Sequence, residues 1–258
     1  MNARWRLVLL GLACLVLVPC AVSAIRAMPD FGADIAAYGA RINAIAPAER
    51  HVANMVSAIN FDIRGLDTLG EEFMLLAAIT GTVVLLRGSR GEAITDRAAR
   101  LPGRPVLPRA EVVVLACRIA GPITALFGTY VVLHATVTPG GGFQGGVILA
   151  SATLLIYLGE GYAGWRDSVR SRWLDAMEGG GALLFVLCGL APMLVGAAFM
   201  ENVLPLGTFR DLFSGGLMLV ENLGVAAAVT GGFTQLFLEF MEETREPDQS
   251  DDPKGENA

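Results

Sequence analysis

Residues 112–133 read VVVLACRIAGPITALFGTYVVL. This stretch contains a single charged side chain, Arg118, and about 20 largely apolar residues are enough for a helix to cross a bilayer. Inside a bilayer only helices and closed barrels satisfy all of their backbone hydrogen bonds. The stretch therefore predicts a membrane-spanning helix and places the chain among the integral membrane proteins.

Further apolar stretches extend this prediction to an all-α, polytopic membrane protein with about six transmembrane helices. One of them is weaker because Glu71 and Glu72 lie near its start, and another is so short that it must be extended towards residues 140–144. The stretch nearest the N-terminus, residues 7–25, also fits a cleavable signal peptide, because it follows two arginines and ends in small residues. The further stretches are residues 7–25, 68–86, 145–158, 182–200 and 217–240.

The composition excludes other classes of protein. Hydrophobic residues make up 53% of the 258 and charged residues only 17%, where a soluble domain holds about 25% charged. The net charge of −6 argues against a nucleic-acid partner. Residues 241–258 hold seven acids and two bases, so the acidity belongs to a tail that we expect to be disordered.

Basic residues predict the orientation and the domain organisation. With the N-terminus inside, the inner segments hold 13 Lys and Arg against five outside, so both termini are expected in the cytoplasm. The polar, basic and Gly/Pro-containing stretch 87–109 reads as a cytoplasmic linker. It would join a two-helix module, residues 1–86, to a four-helix domain, residues 110–240. Residues 27–60 have the spacing of an amphipathic helix that is broken by Pro47.

The first group of candidate site residues lies in the sequence DIRGLDTLGEE, residues 62–72. Asp67 and Glu71 are four residues apart and share a helical face that enters the bilayer. A proton, a sodium ion or an arginine could neutralise them, and Arg64 is the nearest arginine. A structural alternative is a helix N-terminus whose acids complement its dipole, with Asp67 or Thr68 as the cap.

The second group is a Gly-rich loop between the predicted third and fourth spans. It contains a formal G-x-G-x-x-G, but a membrane helix precedes it, whereas a nucleotide site needs a preceding strand. Its glycines permit close backbone approach, either in a wet cavity or for simple packing of helices through Gly142-x-x-x-Gly146. His134 could relay protons or be structural. The loop residues are Pro139, Gly140, Gly141, Gly142, Phe143, Gln144, Gly145 and Gly146.

Ionisable residues within the spans form the third group. Arg118 and Glu221 lie in predicted spans, and Glu178 lies near the inner end of the fifth. Such residues usually face a bundle interior or an aqueous path, because charge is costly in lipid. Glu221 is the strongest intramembrane candidate, and its alternative role is a structural ion pair or a contact with a neighbouring protein of a complex.

Two stretches resemble known families. TPGGGFQGGVILA at 138–150, with LPLG at 204–207 and FSGG at 213–216, resembles the MrpB (MnhB) subunit of Mrp-type multisubunit cation/proton antiporters. NFDIRGLDTLGEE at 60–72 resembles the C-terminal part of the large MrpA subunit of these antiporters. In related membrane-bound hydrogenases that part is a separate small protein, MbhE. The chain thus looks like a fusion of an MbhE-like module to an MrpB-like domain.

The resemblance implies a helper subunit of a membrane complex that couples sodium movement to protons. Asp67 and Glu71 match acidic positions of the family's D-T-L-G-E motif, and Asp62 and Arg64 match its D-F-R element. The ion-path candidates are Asp62, Arg64, Asp67, Glu71, His134 and Glu221. The Gly-rich loop of the MrpB family often carries two histidines, whereas here only His134 is present.

The resemblance also implies the setting. We expect no catalytic activity, no cofactor and no bound metal, Na+ and H+ as transported ions, other membrane subunits as partners, and the bacterial inner membrane as the location. Two alternatives stay open: a module of a respiratory hydrogenase-like complex, and a purely structural adaptor between larger transporting subunits.

Overall fold

The computed structural model describes residues 3–28, 37–89, 110–169 and 171–243. These residues form helices joined by turns and loops, with no strand among them, so the all-α prediction is confirmed. Most of the predicted linker and most of the acidic tail lie outside the described residues. The tail prediction began too early, because its first three residues, 241–243, are the end of a helix.

Eight α-helices are described, with one π-helical and one 3₁₀ segment between them. The helix Gly142–Ser168 bends at Gly161, whose φ is 80°. The π-helical segment Ile59–Ile63 follows the helix Met55–Ala58, and the 3₁₀ segment Ala191–Val195 follows the helix Ser171–Leu190. The helices are α1 Ala3–Arg26, α2 Ala37–Glu49, α3 Met55–Ala58, α4 Gly65–Ser89, α5 Glu111–Leu133, α6 Gly142–Ser168, α7 Ser171–Leu190 and α8 Leu217–Glu243.

Five described segments are long and apolar enough to cross a membrane, and α1 contributes a shorter apolar stretch, Leu10–Arg26. The short fourth span begins at Gly142, as its predicted extension requires. The fifth was predicted ten residues too late. In the structure it runs over Arg172–Val195. Three charged residues in its first turns lower the hydropathy there, and the prediction therefore began only after them.

The chain divides into two compact units, residues 1–41 and 42–258. The first contains α1, whose described side chains are exposed along its whole length. The second contains the other spans, in which α6 and α7 pack on α8, α5 packs on α6, and α4 packs on α7 and α8. The proposed division into a 1–86 module and a 110–240 domain stays a prediction.

Helix α8 lies at the centre of the second unit. Met218, Val225 and Val229 of α8 pack with Phe185 of α7 in the main apolar core. The core also receives Phe61 from the π-helical segment, whose ring lies 6.1 Å from that of Phe185. Burial of these side chains fixes residues 59–63 and the start of α4 against α8.

The segment predicted as an amphipathic helix is shorter and more broken than expected. Helix α2 ends at Glu49, two residues after Pro47, and a turn leads into α3. Ile42, Ala46 and Val52 are buried in the main core. The apolar periodicity was therefore correct, and within the second unit the buried face packs in the core of the helical bundle.

Candidate functional site

Asn54 joins the segment before α3 to the Gly-rich loop. Its side-chain oxygen accepts hydrogen bonds from the backbone of Val56 and Ser57 and so caps α3. Its amide nitrogen lies 2.7–3.0 Å from three carbonyl oxygens of the loop and of the segment directly before it. The side chain is 94% buried, so one residue satisfies helix and loop groups that are shielded from water. Those three carbonyls belong to Ala135, Thr138 and Gly140.

The backbone adds to this junction. The amides of Ala53 and Asn54 donate to the Thr136 carbonyl over 3.0 and 3.1 Å, and the Ser57 hydroxyl donates to the Ala135 carbonyl over 2.6 Å. The chain before α4 is thereby held against the loop that precedes α6. The two groups of residues singled out in the sequence come together at one end of the bundle.

Asn222 of α8 holds the other side of the loop. Its side-chain oxygen accepts from the Gly142 amide over 2.8 Å, and its nitrogen donates to the Met218 carbonyl over 2.8 Å. A Cβ on Gly142 would lie 2.2 Å from the Asn222 carbonyl oxygen, and a Cβ on Gly146 would lie 2.9 Å from that of Ala226. Gly142 and Gly146 thus form the helix-packing face that their spacing predicts.

A cavity of about 210 Å³ lies between these elements. Glu71, Glu72 and Thr68 of α4 line one side, and Gly140–Gln144 line the other. Asn60 adds a further polar group, and the volume is enough for several water molecules. The acidic start of α4 and the Gly-rich loop therefore share one cavity with a partly polar lining. We call it the loop cavity.

The two adjacent glutamates in the loop cavity differ in burial. Glu71 is exposed, whereas Glu72 is 95% buried. Among the described residues no hydrogen bond or ion pair to the Glu72 carboxylate is found. Thr68, one turn earlier, donates its hydroxyl to the Asn60 carbonyl over 2.7 Å, so it is not the cap of α4. A largely buried carboxylate is costly unless water, a proton or a cation reaches it, and the loop cavity is where one can reach Glu72.

Asp62 and Glu221 are two further carboxylates with little exposure, and neither lines the loop cavity. The Arg50 guanidinium binds the Asp62 carboxylate over 2.5 Å, and the Asp62 side chain is 5% exposed. Glu221 is 1% exposed, and its Oε2 atom has no hydrogen-bond partner among the described residues. Glu221 is therefore buried inside the second unit, as its position in the sequence suggested.

Three other candidates lie outside the loop cavity. Asp67 forms an exposed ion pair with Arg64, so the predicted shared face of Asp67 and Glu71 does not bring both acids to the same site. His134 caps the end of α5 and stacks on Tyr130, with ring centroids 4.0 Å apart. Its Nδ1 atom lies 3.0 Å from the Tyr130 carbonyl oxygen, an arrangement that suits a structural role.

Arg118 does not face the bundle interior, contrary to the expectation for charged residues in spans. Its side chain is 62% exposed and binds Glu160 of α6, with Nε 2.6 Å from Oε1. The reason is that α5 contacts the bundle mainly through α6, which leaves most of its surface open. The pair neutralises itself on a surface that faces lipid or a neighbouring protein.

Sequence reasoning missed Asn54 and undervalued Glu72. Asn54 stands directly before a helix, where asparagine is a preferred cap, and this signal could have marked it. Glu72 shares helical spacing with Leu75, Leu76 and Ile79, which places it on the buried face of α4. Among the described residues, no three His, Cys, Asp or Glu side chains are arranged to hold a metal ion.

Comparisons with known proteins match a family model to one part of the chain and relatives to most of it. Residues 112–235, which contain α5 to α7 and most of α8 together with the Gly-rich loop, match the model of a family described as a domain related to the MnhB subunit of Na+/H+ antiporter. An uncharacterized protein of Methanocaldococcus jannaschii, MJ1307, is 28% identical over 203 residues, which are 71% of this chain and 75% of that protein.

Two solved structures share the fold. A chain of the membrane-bound sulfane sulfur reductase, an archaeal respiratory membrane complex, is 26% identical with a TM-score of 0.70, and the match covers 94% of this chain and 100% of that one. A chain of the Mrp complex from Dietzia sp. DQ12-45-1b is 23% identical with a TM-score of 0.68. That match covers 96% of this chain but 27% of the longer one.

Proposed function

Residues 112–235 match the model of a family related to the MnhB subunit of Na+/H+ antiporter, and on this premise we propose that the chain is an integral membrane subunit of a multisubunit cation/proton antiporter of the Mrp type. The loop cavity is the observation that carries the proposal. It combines acidic side chains, a partly polar lining and backbone that approaches closely, in a bundle of membrane-spanning helices. Irregular backbone at membrane depth is tolerated where it lines a wet cavity.

The transported ions would be Na+ and H+. Carboxylate and backbone oxygens, such as those of Glu71 and Gly140, are the ligands that a hard cation prefers, and carboxylates also carry protons. Glu71 and Glu72 would meet the ion first, and Asp62 and Glu221 would shape the field behind them. Arg64, Asp67 and His134 would support the surrounding structure.

The part of the chain before residue 112 would be an MbhE-like module fused to the MrpB-like domain. The junction through Asn54 supports this assignment, because the loop cavity needs residues from both parts. The match of 94% of this chain to one complete chain of a solved complex supports it too. The location would be the cytoplasmic membrane of a bacterium.

A respiratory membrane complex is the second candidate. The matched chain of the sulfane sulfur reductase complex, which is covered completely, favours it. In that setting this chain would serve the ion-moving module, and redox chemistry would belong to other subunits. Co-purification separates the two, since redox subunits would accompany the chain only in a respiratory complex.

The test deletes the gene for this chain in its native cell and restores the chain from a plasmid. We expect removal to abolish Na+-dependent proton movement in inverted vesicles and restoration to recover it. Affinity purification of the restored chain should bring down other membrane subunits. Normal antiport without the chain, or a chain that purifies alone from mild detergent, would contradict the proposal.

A further inference from the structure

A second, much smaller void lies behind Glu72. It has a volume of about 10 Å³ and lies between α4, α7 and α8. Glu72 lines both this void and the loop cavity, so it stands between the two. Glu178 of α7, which is 92% buried, also lines the void. Two buried carboxylates on different helices thus border one narrow space.

The rest of the lining is apolar. It consists of Leu75, Leu76 and Ile79 of α4 with Ala182 and Ala228 from the facing helices. A space of this size is about the least that can hold one water molecule. Apart from the carboxylates of Glu72 and Glu178, no side-chain oxygen of the described residues lines the void, so a hard cation would lack most of its usual shell of about six oxygen ligands. The void therefore suits a proton carried by water better than a metal cation.

Glu72 is the residue that indicates a mobile charge between the loop cavity and the void. The residue is 5% exposed, it lines the loop cavity, and it has no hydrogen-bond or ion-pair partner among the described residues. Burying an isolated carboxylate charge is costly unless a proton or a cation accompanies it. Its position lets it receive either from the loop cavity, while the void beyond, which has few oxygen ligands, favours the proton.

The row of buried polar groups continues past Glu178. The Glu178 Oε1 atom would lie 3.6 Å from a Cβ built on Gly232 of α8. Gln235 and Glu239 follow Gly232 at three and seven residues, so they share its helical face, and both are buried. Ionisable side chains in the interior of a membrane bundle usually mark an ion or proton path. This row leads from Glu178 towards the end of α8 that lies away from the Gly-rich loop.

We propose that the seam between α4, α7 and α8 conducts protons from the loop cavity to the opposite end of the bundle, with Glu72 and Glu178 as its two relay carboxylates. A protonated Glu72 gives its proton to water in the void, and that water gives a proton to the Glu178 carboxylate. Only O–H bonds break and form, and no electron is transferred. The proposal rests on the proposed function and adds that protons and sodium ions part at Glu72.

The experiment uses inverted vesicles that contain the complete complex with full-length variants of this chain. We expect Glu178→Gln to slow Na+-driven proton movement by about tenfold or more, because an amide cannot relay a proton. Glu178→Asp, which restores a carboxylate, should recover most of the rate. Asp175→Asn is the matched control, since Asp175 is exposed one turn earlier on the same helix.

Assembly is measured in the same preparations by co-purification of the other subunits. A Glu178→Gln complex that assembles normally and moves protons at the unmodified rate would overturn the proposal. If that variant assembles poorly, Glu72→Gln on α4 decides, and an unchanged rate there overturns it equally. Both results differ from failure of the proposed function, in which removing the whole chain leaves antiport intact.

Discussion

Helices α5 and α8 are similar in length and apolar character, yet their surroundings are opposite. In an 18-residue window of α8, 72% of the residues are buried within the chain, whereas 17% are buried in α5. Each helix contains an ionisable residue within its apolar stretch, Arg118 in α5 and Glu221 in α8. Arg118 is exposed and paired with Glu160, but Glu221 is buried and has an unpartnered oxygen among the residues that the structure describes.

The difference shows that a charge inside a span has no single meaning. An exposed pair on α5 and α6 neutralises itself and leaves a surface for lipid or a neighbouring protein. A buried, incompletely paired carboxylate on the central helix is retained despite its cost, which fits a role in moving charge. The surroundings of a helix therefore decide which of its charges are candidates for an ion path.

Two glycine substitutions test the difference in packing between α8 and α5, and they have the largest expected effect. Gly142→Ala should lower the stability of the bundle by about 1–3 kcal/mol, because its Cβ would meet the backbone of Asn222 on α8. Gly121→Ala on α5 is the control, since its Cβ finds its nearest atom at 3.9 Å. Thermal unfolding of the purified protein in detergent measures both.

Equal melting temperatures for Gly142→Ala and Gly121→Ala would show that α8 is not the tightly packed centre of the bundle. A lower melting temperature for Gly121→Ala alone would reverse the comparison.

A smaller effect is expected from the exposed charges. Arg118→Ala and Glu160→Ala should each reduce the amount of assembled complex, because each leaves one unpaired charge on a surface that faces lipid or a neighbouring protein. The double variant should recover towards the unmodified amount, since no lone charge remains. Quantitative immunoblots of purified complex measure the three variants side by side. A double variant that is worse than both single ones would indicate that each charge has its own partner.

The class of fold could be predicted from the sequence, because apolar length is a local property. Four of the five described spans were placed within three residues at each end or by the stated extension, and the fifth was displaced by its own charged first turns. The burial of Glu221 was also predictable from its depth in an apolar run. What a single helix cannot reveal is which face another helix will cover.

The candidate site illustrates that limit. Asp67 and Glu71 share a face by spacing, but the bundle covers the face of Glu72, and it does so because Leu75, Leu76 and Ile79 pack against α7 and α8. Helix α4 is apolar on all sides below its first turns, so periodicity alone left the choice open. The role of Asn54 depends on carbonyls about 80 residues away, which no local pattern contains.

The most direct test compares two acids of the same helix that the structure separates. Glu71 lines the loop cavity, and Asp67, one turn earlier, lies outside it in an exposed pair with Arg64. In inverted vesicles with the full complex, Glu71→Gln should slow Na+-driven proton movement by about tenfold or more, and Asp67→Asn should leave the rate within about twofold. Equal rates for the two variants, or a greater loss in Asp67→Asn, would contradict the loop cavity as the place where this chain meets the ions.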